Sequence, residues 1–158
     1  MSNIFINDNA MVQKLQTVAE KLARPEELGH SIANSFLTIV EDNFDFEGRP
    51  SWAGLSPLTM ARRKPGKILY QSGQLRRSIV TQVKLDSVTI GSNDPKAPTH
   101  HYGVKQGGYG KSRRGGPIPW GDIPARPILP MDENNVLQPE AESAIFDDVD
   151  YFYRKIFE

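Results

Sequence analysis

The sequence predicts an α+β fold, on three observations. Two stretches near the N-terminus repeat apolar residues at helical spacing, residues 79–90 alternate along a β-branched run, and a last amphipathic stretch closes the chain. The expected architecture is an N-terminal helical pair, a small antiparallel β-sheet with long loops, and a C-terminal helix. All of it fits one domain over residues 1–158, a length that supports a single core.

Each element follows from local chemistry. Asn7-Asp8-Asn9 offers side-chain oxygens to cap a helix whose Met11, Leu15, Val18 and Leu22 recur every three to four residues. Pro25 ends that helix and is suited to the first position of the next, where Glu26 and Glu27 face the positive end of the helix dipole. Leu28, Ile32, Phe36, Ile39 and Val40 give the second helix its core stripe, which ends around Asn43. Both stripes are expected to be covered by the β region that follows.

Residues 44–68 read as an irregular loop, punctuated by Gly48, Pro50, Gly54, Pro57, Pro65 and Gly66 and anchored by Trp52, Leu55 and Leu58. Ser56-Pro57-Leu58-Thr59 is suited to one helical turn. A short helix or turn is expected over Leu69–Arg77, with Ser72 as its cap. Ile79, Thr81 and Val83 alternate with Val80, Gln82 and Lys84, and Val88 and Ile90 follow a turn at Asp86-Ser87, which predicts a β-hairpin. A third strand is expected near His100–Val104. Residues 105–116, glycine-rich and poor in apolar side chains, are expected as a flexible basic arm. After the Pro-rich return over 117–130, Ala141, Ile145, Val149 and Phe152 mark the final helix.

A net charge of zero hides a segregation. Residues 1–48 carry three basic and eight acidic side chains (−5), residues 49–126 fourteen and three (+11), and residues 127–158 two and eight (−6). A basic centre between acidic ends suits contact with a polyanion. It better suits a contact in which the acidic ends of one copy meet the basic middle of another, since the basic residues are not interleaved with stacking aromatics. There is no cysteine, which excludes disulfides and thiolate metal sites. The N-terminus lacks the basic and apolar regions of a signal peptide, and no apolar run approaches the ~20 residues that span a bilayer. A cytoplasmic protein with no membrane partner is expected.

Three clusters occur in order along the middle of the chain. They are Trp52-Ala53-Gly54-Leu55-Ser56-Pro57-Leu58-Thr59, then Ile68-Leu69-Tyr70-Gln71-Ser72-Gly73-Gln74-Leu75-Arg76-Arg77-Ser78-Ile79, then His101-Tyr102-Gly103 leading to Ile123-Pro124-Ala125-Arg126-Pro127-Ile128-Leu129. Over roughly residues 10–155 this order resembles the phage virion morphogenesis family, which includes the G-type proteins of Mu-like phages and the tail completion proteins of P2-like phages. The resemblance implies a structural protein of tail completion or head–tail joining, built into a ring and meeting tail-tube or connector proteins. It implies location in the host cytoplasm during assembly and then in the virion, and it brings no catalytic site and no cofactor. The glycine–arginine insert at 105–116 departs from the family pattern.

Within the clusters, Ser72-Gly73 permits a sharp turn that Leu75 and Ile79 anchor. Pro124 and Pro127 fix the backbone on either side of Arg126, holding a planar donor fork for a carboxylate on a neighbouring subunit or on its own chain. The interaction candidates are Trp52, Arg62, Arg63, Lys64, Arg76, Arg77, Lys111, Arg113, Arg114 and Arg126. DNA is the alternative partner for the loop cations, although no stacking aromatic platform is evident among them. Steep weakening with salt would mark phosphate binding.

Catalytic and metal-binding patterns are weaker than their structural explanations. His100 and His101 beside Asp94 suggest a metal site, but neighbours on a strand face opposite ways, and one inward and one outward His is preferred. Gly107-Gly108-Tyr109-Gly110-Lys111-Ser112 lacks the spacing of a phosphate loop. Asp42, Asp45 and Glu47, like Asp147, Asp148 and Asp150, read as solvated helix ends and faces rather than acid–base groups.

Overall fold

The computed structural model describes residues 9–23 and 25–157. The expected caps Asn7 and Asp8 lie outside them. The chain is α+β, with helices α1 (Asn9–Ala23), α2 (Glu26–Asp45), α3 (Pro57–Arg62) and α4 (Gln74–Arg77), strands β1 (Ile79–Val83) and β2 (Val88–Ser92), then α5 (Ala97–Tyr102) and α6 (Pro139–Phe157).

Helix α2 is the spine. Gly29, Ala33, Phe36, Ile39, Val40, Asn43 and Phe44 are buried along it, a spacing that covers more than one face. One side packs with α6, where Phe36 and Ile39 meet Ala141 and Ile145. The other side meets the hairpin and the loops, where Val40 and Phe44 join Trp52, Leu75, Ala97 and Ile128. The hairpin is antiparallel, with Ile79 opposite Ser92 and Val83 opposite Val88. Gly29 lets its tip approach α2 closely, because a Cβ there would stand 2.6 Å from Val83 Cγ1.

Long loops complete the core through side-chain bonds. Trp52, 7% exposed, packs edge-on against Phe44 and donates from Nε1 to the Pro127 carbonyl at 2.8 Å. Gly48, at φ +96°, lies under the indole, and any Cβ there would fall 2.3 Å from Trp52 Cδ1. A buried polar network joins the end of α2 to the start of α6. Asn43 donates to Gln138 at 3.1 Å, Gln138 donates to the Arg49 carbonyl, and Arg49 donates to Asn43 and to the Ile39 carbonyl.

Several expectations need correction. The stripe of α1 does not reach the core: Met11, Leu15 and Leu22 are exposed, because the hairpin and α6 already occupy the sides of α2 that could cover it. Pro25 precedes α2 rather than opening it. The third strand is instead helix α5, started where Asp94 accepts from the Lys96 amide and with Pro98 in its first turn. Only Val104 of that region pairs as a strand, in a single bridge to Ile123. Asp148 is not on the solvated face of α6, since it accepts from Ser31 and Ser35 of α2 at 2.6 and 2.8 Å.

Residues 105–116, expected as a flexible arm, have a defined hairpin with residues 117–122. Tyr109 donates its amide to the Ile118 carbonyl and Ile118 to that of Gly110, both at 2.8 Å, while Lys105 pairs with Asp122 at 2.9 Å. Composition alone did not show that Ile118 and Pro119 pair with Gly107, Tyr109 and Gly110.

Trp52→Ala removes both a core ring and the donor to Pro127. It should lower the unfolding free energy by ~3 kcal/mol or more in denaturant titration; a loss below about 1 kcal/mol would show that the ring contributes little to the core.

Candidate functional site

The ordered motifs converge on a strap between two loops. The guanidinium of Arg126, 5% exposed, donates from Nε to the Ala53 carbonyl and from Nη2 to that of Gly54, both at 2.9 Å. Its backbone amide donates to His100 at 2.7 Å. Among the described residues, no carboxylate of its own chain pairs with Arg126. Backbone carbonyls take its place, and burial pulls the Arg126 pKa down. Trp52 and Arg126 therefore clamp residues 52–54 to residues 126–127 from both directions.

His101 closes the same region from α5. It is 2% exposed, and its Nδ1 accepts from the Ile128 amide at 3.2 Å, so the neutral ring carries its proton on Nε2. Burial is the largest influence and lowers its pKa, against weaker opposing effects of the Asp132 backbone and the Glu133 and Asp132 carboxylates. His100 is also lowered, first by burial and then by the Arg126 charge. Both histidines lie on a helix rather than a strand, so the opposite-face argument against a shared metal does not apply. Among the described residues, however, no group of three His, Asp or Glu side chains is placed to hold a metal ion. A cleft of about 540 Å³ beside the strap is lined by residues including Arg49, Trp52, Pro127, Glu133 and Gln138.

The basic candidates fall into two sets. Arg76 grips Asp45 at 3.1 and 3.4 Å, reaches Glu41 at 3.5 Å and stands over the Tyr70 ring. Lys67 also meets Asp45, and Arg49 meets Asp42, so the carboxylates ending α2 are paired rather than merely solvated. Arg63 and Arg77 donate to nearby carbonyls, including Lys67 and Ser72, and brace their own loops. The second set is Arg62 and Lys64 near the end of α3, with Lys111, Arg113 and Arg114 at the tip of the 105–122 hairpin. All five are exposed and without an ion pair among the described residues. Trp52 and Arg126 lie inside the molecule, away from the surface set.

Sequence patterning missed the aromatic groups beside that tip. Trp120 is 77% exposed and lies against Gly116, while Tyr109 and Ile118 are also exposed on the hairpin. An aromatic between Pro119 and Gly121, outside any apolar period, was the available signal. It supplies the ring surface that the basic loops lacked when read linearly. No helix of the described residues is long and apolar enough to cross a membrane.

Residues 6–151 match the model of the phage virion morphogenesis family. The chain is similar to Mu-like prophage FluMu G protein 2 of Haemophilus influenzae, with 31% identity over 154 residues that cover 96% of each chain. No solved structure matches it.

The two histidines give the strap a pH dependence. Each is held neutral in the fold, so the unfolded chain takes up protons first, near the ordinary value of 6.5. Their contribution is fully present above that value and is lost as pH falls below it. The lowered carboxyls act in a separate window: Asp45, held down chiefly by Arg76, and Asp132, held down by the Val136 amide, lose their contribution only below an ordinary value of 3.8. Denaturant midpoints should therefore fall between about pH 7.5 and about pH 5.5. His101→Asn, whose Oδ1 stands at the position of Nδ1 and can still accept from Ile128 without titrating, should flatten that fall; an unchanged slope would contradict the assignment.

Proposed function

Because the chain belongs to the phage virion morphogenesis family and serves in phage assembly, we propose that it acts in tail completion or head–tail joining as a ring at the head-proximal end of the tail. The carrying observation is the pair of oppositely charged surfaces that remain after internal pairing. Lys111, Arg113 and Arg114 of the 105–122 hairpin stay exposed and unpaired among the described residues, and acidic residues such as Glu142 and Asp147 stay exposed on α6. A ring needs two different surfaces that meet head to tail and close. Neighbouring copies and the tail-tube or connector proteins are the partners this implies. The role is structural, and no step in it requires bond chemistry.

A second reading, contact with the DNA that passes through the phage neck, draws on the exposed Trp120 and Tyr109 near Lys111, Arg113 and Arg114. Such a surface combines stacking with phosphate attraction.

Electron microscopy of lysates from an inducible phage lacking this gene, beside a complemented control, tests the assembly role. Finished heads beside unjoined tails, or tails of uncontrolled length, are expected. Normal infectious particles would overturn an essential completion role.

A further inference from the structure

The hairpin carries a built, outward-facing patch. Its stem is set by the Val104–Ile123 bridge and by Gly107 donating to the Pro119 carbonyl at 3.1 Å. The Tyr109 hydroxyl bonds to Thr99 of α5, which ties the stem to the domain. Ser112 donates to Gly116 at 2.7 Å and closes the tip, with Trp120 lying against Gly116 and fully three-quarters exposed. Lys111, Arg113 and Arg114 belong to the same tip and are exposed, with no acidic partner among the described residues.

Helix α6 carries the converse patch. Its inner side is occupied by Ala141, Ile145, Asp148, Phe152 and Ile156, which leaves Phe146 pointing away from α2 and 66% exposed. Glu142 lies one turn before Phe146 and Asp150 one turn after it, while Asp147 is exposed roughly 100° further round the helix. Asp150 is held by Arg154 at 2.8 Å, whereas Glu142 and Asp147 have no basic partner among the described residues.

We propose that the basic, Trp120-bearing hairpin of one copy docks on the acidic, Phe146-bearing face of α6 of the next copy, and that this is the head-to-tail contact of the assembly. The proposal rests on the reading that copies of this chain associate. Each patch has a large exposed ring on a surface that also carries charge unpaired among the described residues, Lys111, Arg113 and Arg114 on the hairpin and Glu142 and Asp147 on α6, and these fringes are opposite in sign. Docking covers both rings and pairs both fringes, the arrangement of an apolar centre with a polar rim. A polyanion would neutralise the hairpin but leave the Phe146 face uncovered, so a second copy accounts for more of the surface. Two different patches on one chain also generate a directional contact, which a self-complementary patch does not.

Charge reversal on the full chain tests this by sedimentation velocity at low salt. Arg113→Glu with Arg114→Glu reverses the hairpin, and Glu142→Lys with Asp147→Lys reverses the helix face; all four positions are exposed, and circular dichroism checks the fold. Each reversed chain alone should associate at least about tenfold more weakly than wild type. An equimolar mixture of the two should recover to within about threefold of wild type, since hairpins and helix faces of opposite sign then alternate. Wild-type association that neither reversal weakens would overturn this contact while leaving the ring intact. Hairpin reversal that abolishes binding to a duplex DNA probe but spares self-association would assign the hairpin to DNA and overturn the proposal. A wild-type chain that stays monomeric at every concentration, in the presence of purified tails as well, would overturn the ring and this contact together.

Discussion

Trp52 and Arg126 face each other's loops with complementary donors, the indole bonding to the Pro127 carbonyl and the guanidinium to those of Ala53 and Gly54. Neither loop belongs to a sheet, so these side-chain-to-carbonyl bonds, rather than a strand ladder, hold one loop against the other. A buried arginine without a carboxylate is itself costly, and its bonds to carbonyl oxygens offset part of that cost. The pairing fixes where residues 123–130 run. That fixes where Ile128 enters the core, where His101 meets its amide and where the 105–122 hairpin emerges.

Internal charge pairing then decides which surfaces remain for partners. The acidic end of α2 and the basic centre of the chain satisfy one another through Arg76, Lys67 and Arg49. The complementarity expected between copies is thus partly consumed within one copy. What is left over lies at the hairpin tip, around Arg62 and Lys64, and on the outward side of α6. Exposed pairs such as these add little stability, about 0–1 kcal/mol each, so their placement bears on recognition more than on folding.

The parts legible in the sequence were those with a period. Phe36, Ile39 and Val40 of α2, the alternation of β1 and β2, and Ala141, Ile145 and Phe152 of α6 each repeat often enough to define a face. Helix α5 was misread as a strand because six residues, two of them histidine, offer no period at all. The stripe of α1 was real as a pattern but not as a core contact, since periodicity reports an apolar face and not whether a partner surface is vacant. The hairpin at 105–122 depends on Gly107 and Tyr109 amides finding the Pro119 and Ile118 carbonyls, a pairing no composition reveals. Arg126 was recognised as a held donor fork, while its partners, two backbone carbonyls some seventy residues earlier, carry no side-chain signature.

Hydrogen–deuterium exchange on Arg126→Lys tests the strap most directly. Lysine keeps the charge but loses the planar fork that reaches two carbonyls together. The expected result is faster exchange in residues 48–56 and 123–130 together, extending into the 105–122 hairpin, with α2 and α6 unchanged. Exchange confined to the immediate neighbours of residue 126, or left at the wild-type rate, would contradict the strap as the constraint that sets these loops and the surface they present.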